Sequence, residues 1–197
     1  MNQPWEVIQK LGSDNSRLFK ESVILGEIGD SNHIFFHGSK LALDKLITFG
    51  VKQVPEATVD GKGLPWSEFV SELATPLQKR ELTGHDARDK IIELMERATV
   101  EQWNDWYRLI LIKDFKCGTS EKTINNVAKK AKVKEYMVPT FTCQLAHDSA
   151  NHEKKMFGTK QIEIKLDGVR VITIVKKDSV EMFSRNGKQF TNFDHIC

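Results

Sequence analysis

Lys165-Leu166-Asp167-Gly168-Val169-Arg170 closes an alternating run, Gln161-Ile162-Glu163-Ile164, and is followed at once by a second alternation from Val171 to Val175. Period-two patterning predicts a half-buried strand on each side of the Asp-Gly bend. A turn over Lys176-Lys177-Asp178-Ser179 leads to a third strand ending in Ser184-Arg185-Asn186-Gly187-Lys188. A lysine at a strand end has its amine held in place, and Gly168 leaves the backbone open to a ligand. Arg170 and Arg185 supply the forked guanidinium geometry that clamps phosphate oxygens. These residue types in this order suit a lysine nucleophile facing a phosphate. The alternative is an ordinary β-hairpin with an Asp-Gly bend and solvated basic side chains.

The 197 residues are 40% hydrophobic and 28% charged, the composition of a soluble globular chain with one good core or one domain and part of another. The start, Met1-Asn2-Gln3-Pro4-Trp5-Glu6, lacks the basic and apolar blocks of a secretory signal, and no apolar run reaches membrane-spanning length. No membrane partner is expected. Cys117, Cys143 and Cys197 are odd in number and show no paired spacing, which fits a reducing, cytoplasmic setting and neither a disulfide framework nor a zinc site. His33 and His37 stand one helical turn apart without a third ligand, so no metal site is assigned.

Before about residue 131 the periodicity is helical. Trp5, Ile8 and Leu11 share one face, and Ser16 can cap a helix through Phe19, Val23, Ile24 and Ile28. Leu41 to Phe49 has helical spacing, Val51 to Pro65 is rich in turn formers, and Pro65-Trp66 opens a further helix. Leu82-Thr83-Gly84 marks a helix end and restart, and Trp103, Trp106 and Tyr107 mark a core helix. The expected fold class is α+β: an all-helical domain over residues 1–134, then an incomplete antiparallel β domain over 135–197.

The net charge of +2 predicts no nucleic-acid partner, but its distribution does. Lys113 to Lys134 holds seven lysines against Asp114 and Glu121, a local balance of +5. Within it, Gly118 is placed to end a helix in the left-handed conformation, and Thr119 or Ser120 to cap the next. A helix start flanked by Lys116 and Lys122 is a seat for phosphate. A plain helix corner with a solvated basic face is the alternative.

Taken together, the lysine motif, Ser184-Arg185-Asn186-Gly187-Lys188 and the Asp-x-x-x-Gly-x-Ser corner some forty residues upstream resemble the ATP-dependent DNA ligases. The phage replicative ligases of T-even type are the nearest likeness, to which Arg80-Glu81-Leu82-Thr83-Gly84 adds. The resemblance covers most of the chain, more closely from Arg80 to Lys188. It implies a helical domain that binds nicked duplex DNA across the minor groove, with Lys116, Gly118, Thr119, Ser120 and Lys122 at the DNA. It implies that Lys165 attacks the ATP α-phosphate and holds AMP, that Glu163 contacts adenine, and that Arg170 and Arg185 engage the nucleotide and phosphate. Gln144-Leu145-Ala146 resembles the segment beside the base. ATP and Mg2+ are the implied cofactors, and DNA replication, repair and recombination the implied settings. The metal ligand and other late motifs of the family are expected beyond residue 197, so a separate C-terminal polypeptide, or a longer product, is an expected partner. RNA ligases and capping enzymes share the lysine motif, although the long helical region before Lys165 argues against the latter. A DNA-binding module without catalysis is the reading from another class.

Overall fold

The computed structural model describes residues 2–143, 147–161, 163–164, 167–177 and 179–190. The chain divides into two compact units, residues 1–139 and 140–197. Together they give an α+β protein: a helical unit and a three-stranded antiparallel sheet.

Helix α1 (Pro4–Gly12) starts where its sequence allows, with proline at its first position and the Glu6 carboxylate accepting from the Gln3 N–H at 2.7 Å. It buries Val7, Ile8 and Leu11. Helix α2 (Arg17–Gly29) follows, with Ser16 as its N-cap, and buries Val23 and Ile24. Asn32 caps α3 (His33–Leu43), accepting from the Phe35 N–H at 3.2 Å, while its amide donates to the buried Glu27 at 2.7 Å. A buried carboxylate needs such partners, and a second reaches Glu27 from Asn2 at 2.6 Å.

The helical spacing from Leu41 to Phe49 does not produce a helix. α3 ends at Leu43, and Phe49 is buried without one. The chain from 44 to 65 has no helix or strand, as its turn formers predict, and is held by side chains from distant helical turns. Asn104 closes a two-way bond with Ala57, each at 2.9 Å. Trp103 donates to the Pro55 carbonyl, Arg108 to that of Val54, and the Tyr107 hydroxyl to that of Leu64. These bonds satisfy the strap's backbone where no ladder does.

Two composite helices follow: α4 (Trp66–Phe69) and α5 (Thr75–Lys79) joined by a π turn, Val70–Ala74, then, after α6 (Gly84–Arg97), α7 (Val100–Gln102) and α8 (Arg108–Ile112) joined by a π turn, Trp103–Tyr107. Trp106 is the hub of the core, stacking on Phe35 and Phe115. α3 passes so close that a Cβ on Gly38 would lie 2.2 Å from its indole. Helix α9 (Glu121–Lys130) packs on α2.

The unit boundary falls at residues 139/140, five residues later than the pattern suggested. Tyr136 stacks on Phe36 with centroids 4.1 Å apart, and Val138 is bound both ways by the Asn125 amide. The chain leaves the helical core only after these anchors.

In the second unit, β1 (Val171–Lys176), β2 (Ser179–Ser184) and β3 (Gln189–Phe190) form a meander in that order. Of the first expected strand, the described residues Gln161, Glu163 and Ile164 lie outside any strand, with Ile164 88% exposed. Alternation marks a strand only where a neighbour can pair with it. Ile162 lies outside the described residues.

Candidate functional site

Each unit presents a candidate site. In the helical unit it is the corner between α8 and α9. The helix end is made by Lys113, in the left-handed conformation at φ 61°, and not by Gly118. Gly118 is also left-handed (φ 64°), but lies within the loop, after Lys116 at φ 50°. The Asp114 carboxylate accepts the Lys116 N–H at 2.8 Å and pins this tight path. Exposure then alternates. Phe115, Cys117 and Thr119 turn inward, and Lys116, Gly118 and Ser120 outward, with Lys122 exposed on the first turn of α9.

The expected cap is missing: no side chain accepts from the first turn of α9, and Ser120 sits at the N-cap position with its hydroxyl 3.4 Å from that of Thr123. The Thr119 hydroxyl is buried without a partner among the described residues. Of the five residues expected at DNA, four therefore face outward and one is enclosed. The Thr123 and Ile124 amides donate to the Ser120 carbonyl, which leaves those of Glu121 and Lys122 at the start of α9 beside two exposed lysines, an arrangement that holds phosphate oxygens.

Charge counting could not tell which lysines face inward. The Lys113 amine donates to the carbonyls of Leu41 (3.0 Å) and Asp44 (2.6 Å), and burial lowers its pKa to about 8. Lys20, outside the basic run, is buried and donates to the Cys117 carbonyl at 2.7 Å, tying α2 to the corner. Lys130 pairs with Glu21 at 2.9 Å, and its hydrogen bond, with that of Arg17, holds Glu21 below the usual carboxylate range. Lys113 and Lys20 build the corner, and Lys116 and Lys122 remain as its outward charges.

In the second unit, Lys165 and Gln144-Leu145-Ala146 lie outside the described residues. The sheet register nonetheless relates the two arginines. Val171 pairs with Ser184 at the end of the β1–β2 ladder away from its turn, so Arg170 and Arg185 each lie one residue beyond that end. Cys143 links them: the Arg170 guanidinium donates to its sulfur at 3.7 Å, and its thiol donates to the Arg185 carbonyl at 3.8 Å. No sequence signal marked Cys143. The loop carrying Arg185 is closed by the Gly187 N–H to Ser184 at 2.9 Å, with Gly187 at φ 88° against Phe141, where a Cβ would lie 2.5 Å from the ring. Glu163 is exposed and accepts from the Gln161 amide. A Cβ on Gly168 would meet nothing within 4 Å, which leaves open space at this bend. The described residues contain no group of three His, Cys, Asp or Glu able to hold a metal ion, and no helix long and apolar enough to cross a membrane.

Residues 142–196 match the sequence model of a family described as ATP dependent DNA ligase domain. Two solved structures, named Pmar-Lig_PreS3 and Pmar-Lig_Pre., are each 56% identical over 100% of this chain, with TM-scores of 0.90 and 0.89. This chain covers 45% of each of those chains, somewhat less than half their length. No curated protein matches significantly. With the domain match at its end and a likeness that runs its full length, the chain corresponds to the N-terminal portion of an ATP-dependent DNA ligase.

Proposed function

We propose that this chain supplies the DNA-gripping part and the nucleotide-accepting lysine of a ligase that joins nicks in duplex DNA. The observation that carries this is the ligase-domain match over 142–196 coinciding with a hairpin that has Arg170 and Arg185 one residue beyond the same ladder end, both in contact with Cys143. Lys165, inside that match, is the nucleophile. Its neutral amine attacks the α-phosphorus of ATP, a P–N bond forms, the α–β P–O bond breaks, and pyrophosphate leaves with its electron pair. The amine's proton passes to solvent or a neighbouring base. Arg170 and Arg185 offset the charge on the phosphate oxygens, and Glu163 meets the adenine.

Mg2+ is the family's expected metal, but the described residues supply no ligand group for it, and no step is assigned through it here. The helical unit binds the duplex by its backbone through Lys116 and Lys122, with Gly118, Ser120 and Thr119 shaping the corner. Replication, repair and recombination in a cytoplasmic setting, of the kind served by phage-type ligases, fit this reading.

The test is adenylylation of the chain joined to, or mixed with, the remainder of a ligase, using ATP and Mg2+. One AMP on Lys165, nick sealing, and loss of both in Lys165→Arg are expected, because arginine keeps the charge but offers no free amine. Covalent AMP on another lysine, or labelling from GTP in preference to ATP, would overturn the assignment.

A further inference from the structure

The helical unit contains a structural repeat with a spacing of 33 residues. The π turns Val70–Ala74 and Trp103–Tyr107, and the helical turns Thr75–Lys79 and Arg108–Ile112 after them, are offset by that number throughout. Each ends on a left-handed basic residue, Arg80 (φ 64°, ψ 23°) and Lys113 (φ 61°, ψ 34°). The closing bonds repeat too: Glu81 N–H to the Pro76 carbonyl at 2.9 Å, and Asp114 N–H to that of Leu109 at 3.1 Å. A left-handed glycine stands near the start of the next helix in both copies, Gly84 at φ 58° as the first residue of α6 and Gly118 at φ 64° three residues before α9.

The first copy carries something that the second does not. A groove of about 990 Å³ opens beside the Arg80–Gly84 corner, between the strap at 49–55 and α6. Its wall holds Lys52, Arg80, Arg88 and Arg108 and no carboxylate. Arg108 is committed, to the Val54 carbonyl and to Glu56 at 3.2 Å. Among the described residues, the exposed side chains of Lys52, Arg80 and Arg88 make no hydrogen bond or ion pair. The nearby Glu81 pairs outside the groove with Lys79. The Arg80 guanidinium lies over Gly50, where a Cβ would sit 1.6 Å from its Nη1, so any larger residue there would push it out of the groove.

We infer that Lys52, Arg80 and Arg88 form a second phosphate-backbone contact for duplex DNA, paired with the Lys116–Lys122 corner. This rests on the proposal above that the helical unit binds DNA. Three unneutralised cations on one groove favour a polyanion. The repeat favours DNA over an acidic peptide, because two like corners suit a ligand whose charge itself recurs along its length.

The full chain, a nicked duplex and a salt titration test it. Arg80→Gln with Arg88→Gln should weaken binding by about one decade per contact near 0.1 M salt and lower the slope of log K against log salt by about 2. Lys116→Gln with Lys122→Gln should act likewise, and the four changes together should sum. An unchanged slope for the Arg80/Arg88 pair, with the lysine pair still effective, overturns this inference and leaves DNA binding standing. No effect from either pair removes both. If the arginine pair lowers thermal stability, Lys52→Gln on the exposed strap asks the same question, with a slope change of about 1 expected and none overturning it.

Discussion

The two units solve the burial problem differently. The helical unit encloses Trp103, Trp106, Phe35, Phe36 and Phe69 at 1% exposure or less. Among the described residues of the second unit, Met182 is the one buried hydrophobic, while Val169 and Val175 are 80% and 73% exposed. A three-stranded meander with an open apolar face gains little from burial, whereas a core of stacked aromatics carries a domain by itself. A densely packed helical unit and a sparsely buried sheet are therefore built into one chain.

The largest effect that could break this contrast is at the core's tightest point. Gly38→Val must push against Trp106 and should destabilise the helical unit by about 3 kcal/mol, the upper part of the range for overpacking. Denaturant unfolding measures it. Limited trypsin digestion sharpens the comparison. The exposed Lys154, Lys155 and Lys160 should be cut first in both proteins, and only in Gly38→Val should the helical unit follow. An equally resistant helical unit would mean that α3 and α8 have slack that the packing does not show.

Much of this was legible beforehand, and the misses are instructive. β1 and β2 were visible because their alternation meets a partner, while Gln161, Glu163 and Ile164 lie outside any strand. Ser16 capping followed from local chemistry. The strap's irregularity was readable from its turn formers, but not its anchors, since Asn104 and Trp103 lie some fifty residues away. Phe49 misled because burial without a helix leaves the same apolar mark as burial within one. The αL helix end at Lys113 carries no sequence signal, so Gly118 was credited with it. Lys20 and Lys113 show the general limit: a charge run does not reveal which amines turn inward. In the second unit the proximity of Arg170 and Arg185 to Cys143 depends on tertiary contacts and leaves no mark in the sequence.

A smaller effect tests the inward lysine. Burial lowers Lys113 from 10.5 to about 8, with the charge of Asp44 opposing the change. The unfolded chain therefore binds more protons than the folded one between those values. The cost of burying the charged amine is fully present below pH 8 and is relieved as pH rises towards 10.5. Stability of the native protein should rise through that window relative to Lys113→Met, modestly because the amine is half-buried. Parallel pH profiles of unfolding midpoint would show that Lys113 feels no burial.

The proposed function divides the labour, with DNA held by the helical unit and the nucleotide by the second. The direct measurement is the affinity of the full chain for nicked duplex across a salt series, in Lys165→Arg and in Lys116→Gln with Lys122→Gln. Lys165→Arg should keep native affinity and slope, and the lysine pair should show a uniform loss on unrelated sequences with a slope lower by about 2. Lost binding in Lys165→Arg with the lysine pair unaffected would contradict it.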